Sequence, residues 1–169
     1  MLGKNMIERI RNLQNLNKLD VLDLHSNKIT KIENINHLSE LRVLNLANNL
    51  ITAVENLNGL ISLTELNLRR NLIESVNGLQ HCPRLQRIFL SNNRIEKFEH
   101  ISSLKDASQL QELALDGNPI FSLKGYQDFC MATCPNLKHL DLRKVTPDMR
   151  DAGGAKGPDG KPKAIDDSN

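Results

Sequence analysis

The amino-acid sequence predicts an α/β solenoid, with a curved parallel β-sheet on its concave face and short 3₁₀ or helical turns on its convex face. An eleven-residue pattern with leucine or isoleucine at places one, four and six and Asn at place nine starts at residues 19, 41, 63 and 85, always 22 residues apart. Looser copies start at residues 110 and 137, after steps of 25 and 27 residues. A repeat of this length indicates stacked units that share one continuous core.

Each copy is predicted to open with a strand, because apolar and polar residues alternate there. In the third copy Leu66 and Leu68 alternate with Glu65 and Asn67, so the leucines face the core and the polar residues face the concave surface. The return path to the next strand is apolar at regular places. One coil alone buries too little apolar surface to offset its loss of chain entropy, so neighbouring coils must stack.

The Asn at place nine is predicted to be structural. Where each strand turns into the return path, buried backbone N–H and C=O groups lack partners in the sheet. An amide side chain carries both a donor and an acceptor and can satisfy both kinds of group. We therefore expect an internal column made of Asn5, Asn27, Asn49, Asn71, Asn93 and Asn118. The alternative is that the aligned amides form a row of ligands for a bound molecule.

Composition narrows the function classes. The net charge is only +2, and no basic run is interleaved with aromatic residues, so nucleic-acid binding is not expected. No apolar stretch is long enough to span a membrane. The three cysteines, Cys82, Cys130 and Cys134, form no Cys-x-x-Cys pair, which favours a reducing compartment and buried thiols over metal ligands. We expect no cofactor, no metal and no small-molecule substrate.

Four regions are predicted along the chain. They are a partial N-terminal repeat (1–18), regular repeats (19–109), a last repeat with a C-terminal cap (110–145) and a disordered tail (146–169). Because the first repeat begins in the middle of its pattern, we expect further repeats upstream or another chain over this end.

The last repeat is predicted to differ from the others. An insertion at residues 102–108 should form an extra helical turn on the convex side. Helical spacing of apolar residues after Leu123 predicts a helix that Ser122 caps and Pro135 ends. A final strand is predicted from Leu137 to Leu142.

The concave face carries the candidate protein-binding residues. Arg69 and Arg70 have no acidic residue at the same places of the adjacent copies, and Phe89 is predicted to be the one aromatic residue exposed there. Arginine beside an aromatic ring is the usual composition of an interface anchor; the alternative is that Phe89 only packs on the stem of Arg87. The candidate residues are Glu65, Asn67, Arg69, Arg70, Arg87, Phe89 and Asn92.

Other concave residues have simpler interpretations. Glu65, Arg87 and Glu112 alternate in sign between neighbouring strands and predict a ladder of weak surface ion pairs. Ser91 has no His on the same or adjacent strands, and no glycine-rich phosphate loop lies between a strand and a helix. An open curved surface also encloses no reaction cavity. The sequence therefore predicts an interaction module without catalytic activity.

Two short motifs within the repeats are typical of a known class of repeat proteins. Ile32-Glu33-Asn34-Ile35 and Val54-Glu55-Asn56-Leu57 resemble the 22-residue leucine-rich repeats of intracellular proteins. That class includes a regulatory subunit of type-1 protein phosphatase, an axonemal dynein light chain and the spliceosomal A′ protein. The ending Cys134-Pro135-Asn136-Leu137 is similar to the cap motif of the class, although Phe129-Cys130 stands where an aliphatic pair is common.

Longer segments are similar to one branch of this class. The segments 30–38, 41–47 and 57–69, with 116–120, resemble the leucine-rich-repeat subunit of the tubulin polyglutamylase complex. The resemblance implies a cytoplasmic, non-catalytic scaffold on the cytoskeleton, at microtubules, centrioles or basal bodies, or cilia. Its implied partners are polyglutamylase subunits or tubulin. The alternatives are a regulatory subunit of type-1 phosphatase, a dynein-associated light chain and, third, a scaffold of a small RNA particle.

Overall fold

The computed structural model describes residues 1–154, with side chains through Asp151. Its strands are β1 (Val21–Asp23), β2 (Val43–Asn45), β3 (Ala53–Val54), β4 (Glu65–Asn67), β5 (Ser75–Val76), β6 (Arg87–Phe89), β7 (Glu112–Ala114), β8 (His139–Leu140) and β9 (Arg143–Lys144). Its helices are α1 (Tyr126–Thr133) and α2 (Pro147–Gly154), and 3₁₀ turns span Leu79–His81, Phe98–Asp106 and Pro119–Ser122.

One long sheet organises the described part of the chain. Its strand order is β1-β2-β4-β6-β7-β8-β9, and every pair is parallel except β8 with β9. The return paths contribute a second, smaller parallel pair, β3 with β5. The predicted architecture, a solenoid with a parallel sheet on one face and short helical turns on the other, is confirmed.

The repeat period sets the register of the sheet. Equivalent apolar residues lie opposite one another in a single row: Leu22, Leu44, Leu66, Ile88, Leu113 and Leu140. Each of these side chains is at most 5% exposed. Every coil therefore covers the apolar edge of its neighbour, and stability is shared between adjacent coils.

A column of buried amides runs beside this row. The Asn71 Nδ2 donates to the carbonyl of Leu68 in its own coil at 3.1 Å and to that of Leu46 in the preceding coil at 2.9 Å. Its Oδ1 accepts the N–H of Ile51 at 3.0 Å. The same links recur at Asn27, Asn49, Asn93 and Asn118. Each amide thus joins two coils.

Asn5 does not belong to this buried column. Its side chain is exposed, and its amide donates to the carbonyls of Leu2 and Gly3. The physical reason is that in the described structure no coil lies on its outer side. The first residues still extend the backbone ladder, because the N–H groups of Leu2 and Lys4 donate to the carbonyls of Asp23 and His25.

Replacing Asn71 with Ala should lower the free energy of unfolding by about 1–3 kcal/mol, because the substitution leaves buried backbone groups without partners. Urea denaturation followed by circular dichroism measures the change. Asn58→Ala is the control, since Asn58 is exposed and outside the column. Equal midpoints for the two variants would mean that the buried amides contribute nothing to stability.

A second set of Asn residues supports the convex side. Asn12, Asn34 and Asn56 recur every 22 residues, and each has a positive φ between 58° and 64°. The Nδ2 atoms of Asn34 and Asn56 donate to the carbonyls of Ile10 and Ile32, at 2.7 and 2.8 Å. Asn tolerates the left-handed region better than most residues, which explains its use there. The signal for this ladder, Asn at the repeat period, was present in the sequence, but our sequence analysis missed it.

Of two expected details, the structure agrees with the helical turn in the insertion and corrects the start of α1. The insertion forms part of the 3₁₀ turn Phe98–Asp106, as expected for a helical turn. Ser122 does not cap α1, because it lies in the turn Pro119–Ser122 and α1 begins after Gly125. Gly125 has a φ of 82°, so a left-handed residue makes the entry to the helix and no side-chain cap is present.

The predicted final strand is interrupted. β8 ends at Leu140, and Asp141 and Leu142, with φ values of 50° and 66°, reverse the chain so that β9 runs antiparallel. The Asp141 carboxylate accepts the N–H groups of Leu115 at 2.7 Å and Asp116 at 3.0 Å, and the Tyr126 hydroxyl at 2.7 Å. Asp141 therefore accepts hydrogen bonds from backbone N–H groups that would otherwise need acceptors in a further coil.

The prediction of disorder from residue 146 is wrong for residues 147–154, which form α2 packed against α1. Pro147 at the first helical position and the Thr146 Oγ1, which accepts the N–H of Met149 at 3.4 Å, start this helix. The Arg150 guanidinium donates to the carbonyl of Leu137 and fixes the helix to the cap. The rest of the predicted tail, 155–169, lies outside the described residues.

Candidate protein-binding face

The concave face presents the outward residues of successive strands in columns. Asn67 of β4 lies opposite Phe89 of β6, and Phe89 lies opposite Ala114 of β7. Asn67 is half-buried, and its Oδ1 accepts the N–H of Arg69 at 3.2 Å. This bond fixes the backbone where Arg69 and Arg70 leave the strand, so their side chains start from a defined position.

Phe89 lies on the expected face but is not exposed there. Its side chain is only 7% exposed, because the Arg69 guanidinium covers it, with Cζ 4.0 Å from the ring centroid. A cation over an aromatic face is electrostatically favourable, and stacking also removes the ring from water. The prediction of a solvent-facing Phe89 is therefore corrected: the ring is a support beneath Arg69.

This support leaves the Arg69 guanidinium available for binding. In residues 1–154, Arg69 forms no ion pair with a carboxylate. A guanidinium is planar and carries its N–H donors around its edge. With one face on the ring, the edge remains free to donate hydrogen bonds to a partner, from a side chain that is already partly immobilised.

Arg70 occupies a strained backbone position. It has a φ of 56° and an exposed side chain. The equivalent residues of other coils also have a positive φ, and these residues are Lys4, Ser26, Asn48, Asn92 and Gly117. Asn and Gly adopt this conformation at low cost, whereas Arg does not. Strain of this kind is concentrated at functional sites, which makes Arg70 a candidate contact residue.

Replacing Arg70 with Asn should raise the free energy of unfolding by about 0.5–1 kcal/mol, because Asn suits the left-handed turn better. The melting temperature measures this change. Arg84→Asn is the matched control, since Arg84 is also exposed but has no positive φ. A melting temperature that falls in the Arg70 variant would contradict the assignment of strain.

The predicted ladder of ion pairs is reduced to one pair. The Arg87 Nη2 lies 2.9 Å from the Glu65 Oε2. In the described part of the chain Glu112, on the other side of Arg87, is not within ion-pair distance of it. About half of the Arg87 side chain is exposed, so the pair contributes little to stability. Its main consequence is that the charge of the Glu65 carboxylate is already balanced by Arg87.

The coil that follows Arg69 and Arg70 in the sheet places Ser91 beside Arg69 and Asn92 beside Arg70. Ser91 is buried, and its hydroxyl donates to the Asp116 Oδ1 at 2.5 Å. Asn92 is exposed beside Arg70 in the next coil. The structure thus brings Arg69, Arg70, Phe89 and Asn92 together, whereas Glu65 and Arg87 form a separate pair on the strands.

The buried thiols are not suited to chemistry. Burial raises the pKa of Cys82 and of Cys134 to about 12, and it also raises the pKa of Cys130. These thiols are therefore protonated near neutral pH and weakly nucleophilic.

Among residues 1–154, no three His, Cys, Asp or Glu side chains are grouped so that they could hold a metal ion. In the same range, no helix has the length and apolar character needed to cross a membrane.

Two curated proteins share short segments with this chain. It is 42% identical to dynein axonemal assembly factor 11 of Xenopus tropicalis over 45 residues, which are 27% of this chain and 10% of that protein. It is 34% identical to the U2 small nuclear ribonucleoprotein A′ of Yarrowia lipolytica over 55 residues, which are 32% of this chain and 24% of that protein. The matches therefore span about a tenth and a quarter of these relatives.

Solved structures and a family model cover much more of the chain. The crystal structure of the Drosophila melanogaster SNF/U2A′ complex contains a chain with a TM-score of 0.77 and 28% identity, over 83% of each chain. An internalin, inlF, of Listeria monocytogenes has a TM-score of 0.70 and 25% identity, over 83% of this chain and 40% of that one. The family model described as leucine-rich repeat matches residues 2–156. With its 22-residue period, parallel sheet and column of buried amides, the chain belongs to the leucine-rich repeat family.

Proposed function

We propose that this protein is a non-catalytic scaffold that binds a partner protein on its concave face, centred on Arg69, Arg70 and Phe89. The observation that carries the proposal is the Arg69 guanidinium held 4.0 Å over the Phe89 ring. A partly immobilised arginine loses less conformational entropy on binding than a free one. Proteins of the leucine-rich repeat family are typically interaction scaffolds, and Glu65, Asn67, Arg87 and Asn92 would form the rim of the contact.

The proposed setting is a microtubule-modifying complex of the tubulin polyglutamylase type. The resemblance of the segments 30–38, 41–47 and 57–69 supports this setting. The similarity to a dynein axonemal assembly factor also points towards the microtubule cytoskeleton. In this proposal the partner is a polyglutamylase subunit or tubulin, and the protein acts in the cytoplasm at microtubules, basal bodies or cilia. A regulatory subunit of type-1 phosphatase and a dynein-associated light chain are the alternatives with the same architecture.

A second candidate is a scaffold in a ribonucleoprotein particle. It is favoured by the similarity to the A′ protein and to a chain of the SNF/U2A′ complex. Here too the concave face would bind a protein, and the setting would be nuclear. Direct RNA binding is disfavoured, because the net charge is only +2 and Phe89 is covered rather than open for base stacking.

Affinity purification with quantitative mass spectrometry separates these settings. The tagged wild-type chain should recover polyglutamylase subunits or tubulin; phosphatase catalytic subunit, dynein chains or ribonucleoprotein components would instead assign one of the alternatives. The variant Arg69→Glu should lose the specific partner, whereas Arg84→Glu, which reverses an exposed charge before β6, should retain it. Equal recovery by both variants would reject the concave anchor.

A further inference from the structure

The two arginines of the concave anchor carry charge that the neighbouring acidic residues do not neutralise. Glu65 is paired with Arg87, and Asp116 accepts the hydroxyl of Ser91. Within residues 1–154, no carboxylate lies within ion-pair distance of Arg69 or Arg70. Arg69 and Arg70 are consecutive residues whose positive charge is not balanced by an adjacent carboxylate, so a ligand that supplies negative charge is attracted to them.

The position of Arg69 defines the chemistry of that ligand. The ring of Phe89 covers one face of the guanidinium, so further contacts are made at its edge. Donors at the edge match the two oxygens of a carboxylate in a planar, bidentate arrangement. A lysine ammonium would supply the same charge without this geometry. The site therefore favours a carboxylate over an arbitrary anion held only by charge.

Arg70 adds a second contact beside the first. Its left-handed backbone turns the chain away from the strand, and Asn48 and Asn92 flank it in the adjacent coils. The Asn48 amide donates to the Ser26 hydroxyl at 3.1 Å, while Asn92 is exposed. Amides beside a guanidinium can hydrogen-bond the backbone of a peptide whose side chain reaches the arginine. The arrangement suits a protein segment with neighbouring acidic residues.

A nucleic-acid backbone fits this surface less well. Phosphates also bind arginine, but a polyphosphate strand along the face would meet the half-buried carboxylates of Glu112, on β7, and Asp116, in the turn after it. The nearby aromatic ring is covered and provides no platform for a base. Charge complementarity is local, at Arg69 and Arg70, and this favours a short acidic segment over an extended polyanion.

We propose that Arg69 and Arg70 form a carboxylate-binding site that selects an acidic segment of the partner protein. This inference rests on the proposed scaffold function and adds the chemical class of its partner. Arg69 makes the bidentate contact, with Phe89 as its support, and Arg70 binds a neighbouring carboxylate or a backbone carbonyl.

Fluorescence anisotropy with the full 169-residue chain tests the inference. The probes are a fluorescein-labelled Glu-rich peptide, the same peptide with Gln in place of Glu, and a single-stranded oligonucleotide of similar length. The Glu-rich peptide should bind at least about tenfold more tightly than the Gln peptide, and its affinity should fall as salt increases. Tighter binding of the oligonucleotide, or equal binding of the two peptides, would overturn the inference.

Variants assign the effect to the two arginines. Arg69→Gln and Arg70→Asn should each weaken binding of the Glu-rich peptide by about five- to tenfold, in the range for the net contribution of one hydrogen bond. Arg69→Lys should fall between wild type and Arg69→Gln, because it keeps the charge but loses the planar edge. Arg84→Gln is the control and should bind like wild type. Equal weakening by Arg84→Gln would show non-specific charge attraction and overturn the site.

Separate measurements test the folding of the variants and the scaffold proposal on which the inference rests. Arg70→Asn is expected to be more stable than wild type, so its loss of binding cannot come from unfolding, and circular dichroism verifies the fold of the Arg69 variants. If the Glu-rich and Gln peptides bind equally while Arg69→Glu still loses its cellular partner, the acidic-segment inference fails and the scaffold proposal stands. If Arg69→Glu retains the partner, the scaffold proposal itself fails.

Discussion

Replacing Leu66 with Ala should lower the free energy of unfolding by about 2–5 kcal/mol, the range for removing a buried leucine side chain. Leu66 is fully buried and lies in the sheet between Leu44 and Ile88. The sheet and the column of Asn side chains fix the coils on both sides, so the cavity cannot close easily. Because each coil contacts only its neighbours, a weakened central coil affects both halves of the array.

Urea denaturation followed by circular dichroism measures this loss. Leu142→Ala is the matched control, because Leu142 is 73% exposed in the turn that precedes β9. Its substitution should change the free energy of unfolding by less than about 0.5 kcal/mol. Similar effects of the two substitutions would contradict the buried row on which the stacking of the coils depends.

Replacing Gly59 with Ala should cost about 2–4 kcal/mol, from backbone strain and a steric clash together. Gly59 has a φ of +90°, a conformation that residues with a Cβ rarely adopt. A Cβ at this position would lie 1.9 Å from the carbonyl oxygen of Asn36 in the preceding coil. Because the obstacle is backbone, relief requires the two coils to separate.

Gly78→Ala separates strain from the clash. Gly78 has a similar φ of +78°, but the nearest atom to a new Cβ is the His81 Cδ2, at 3.7 Å. This variant should lose only about 1–2 kcal/mol, the cost of left-handed backbone for an ordinary residue. Chemical denaturation of both variants gives the difference. If Gly59→Ala costs no more than Gly78→Ala, the coils are not packed as closely as the structure indicates.

The periodic features could be predicted from the sequence because each coil repeats the same physical problem. Leu44 and Leu66 lie opposite each other because strands 22 residues apart occupy equivalent positions. The left-handed turn at Arg70 could also be predicted from the sequence, since Asn48 and Asn92 stand at the equivalent places. Arg70 is unusual because Asn occupies the equivalent place in both adjacent coils.

The features that differ from the sequence analysis depend on contacts between particular side chains. Phe89 is buried because Arg69, on the neighbouring coil, adopts a conformation that covers it. The alternation of apolar and polar residues does not specify that choice. Helix α2 was missed because its glycine-rich sequence is a poor helix former. The cap at Thr146 and the bond from Arg150 to Leu137 favour it in the folded chain.

Site-specific photo-crosslinking in cells tests the use of the concave face most directly. A photoreactive amino acid replaces Val43, which lies on the concave face opposite Glu65, or Glu74, which is exposed on the return path after β4. We predict that the partner protein crosslinks to the position of Val43 and not to that of Glu74. Crosslinking of the same partner through position 74, with none through position 43, would contradict recognition by the concave face.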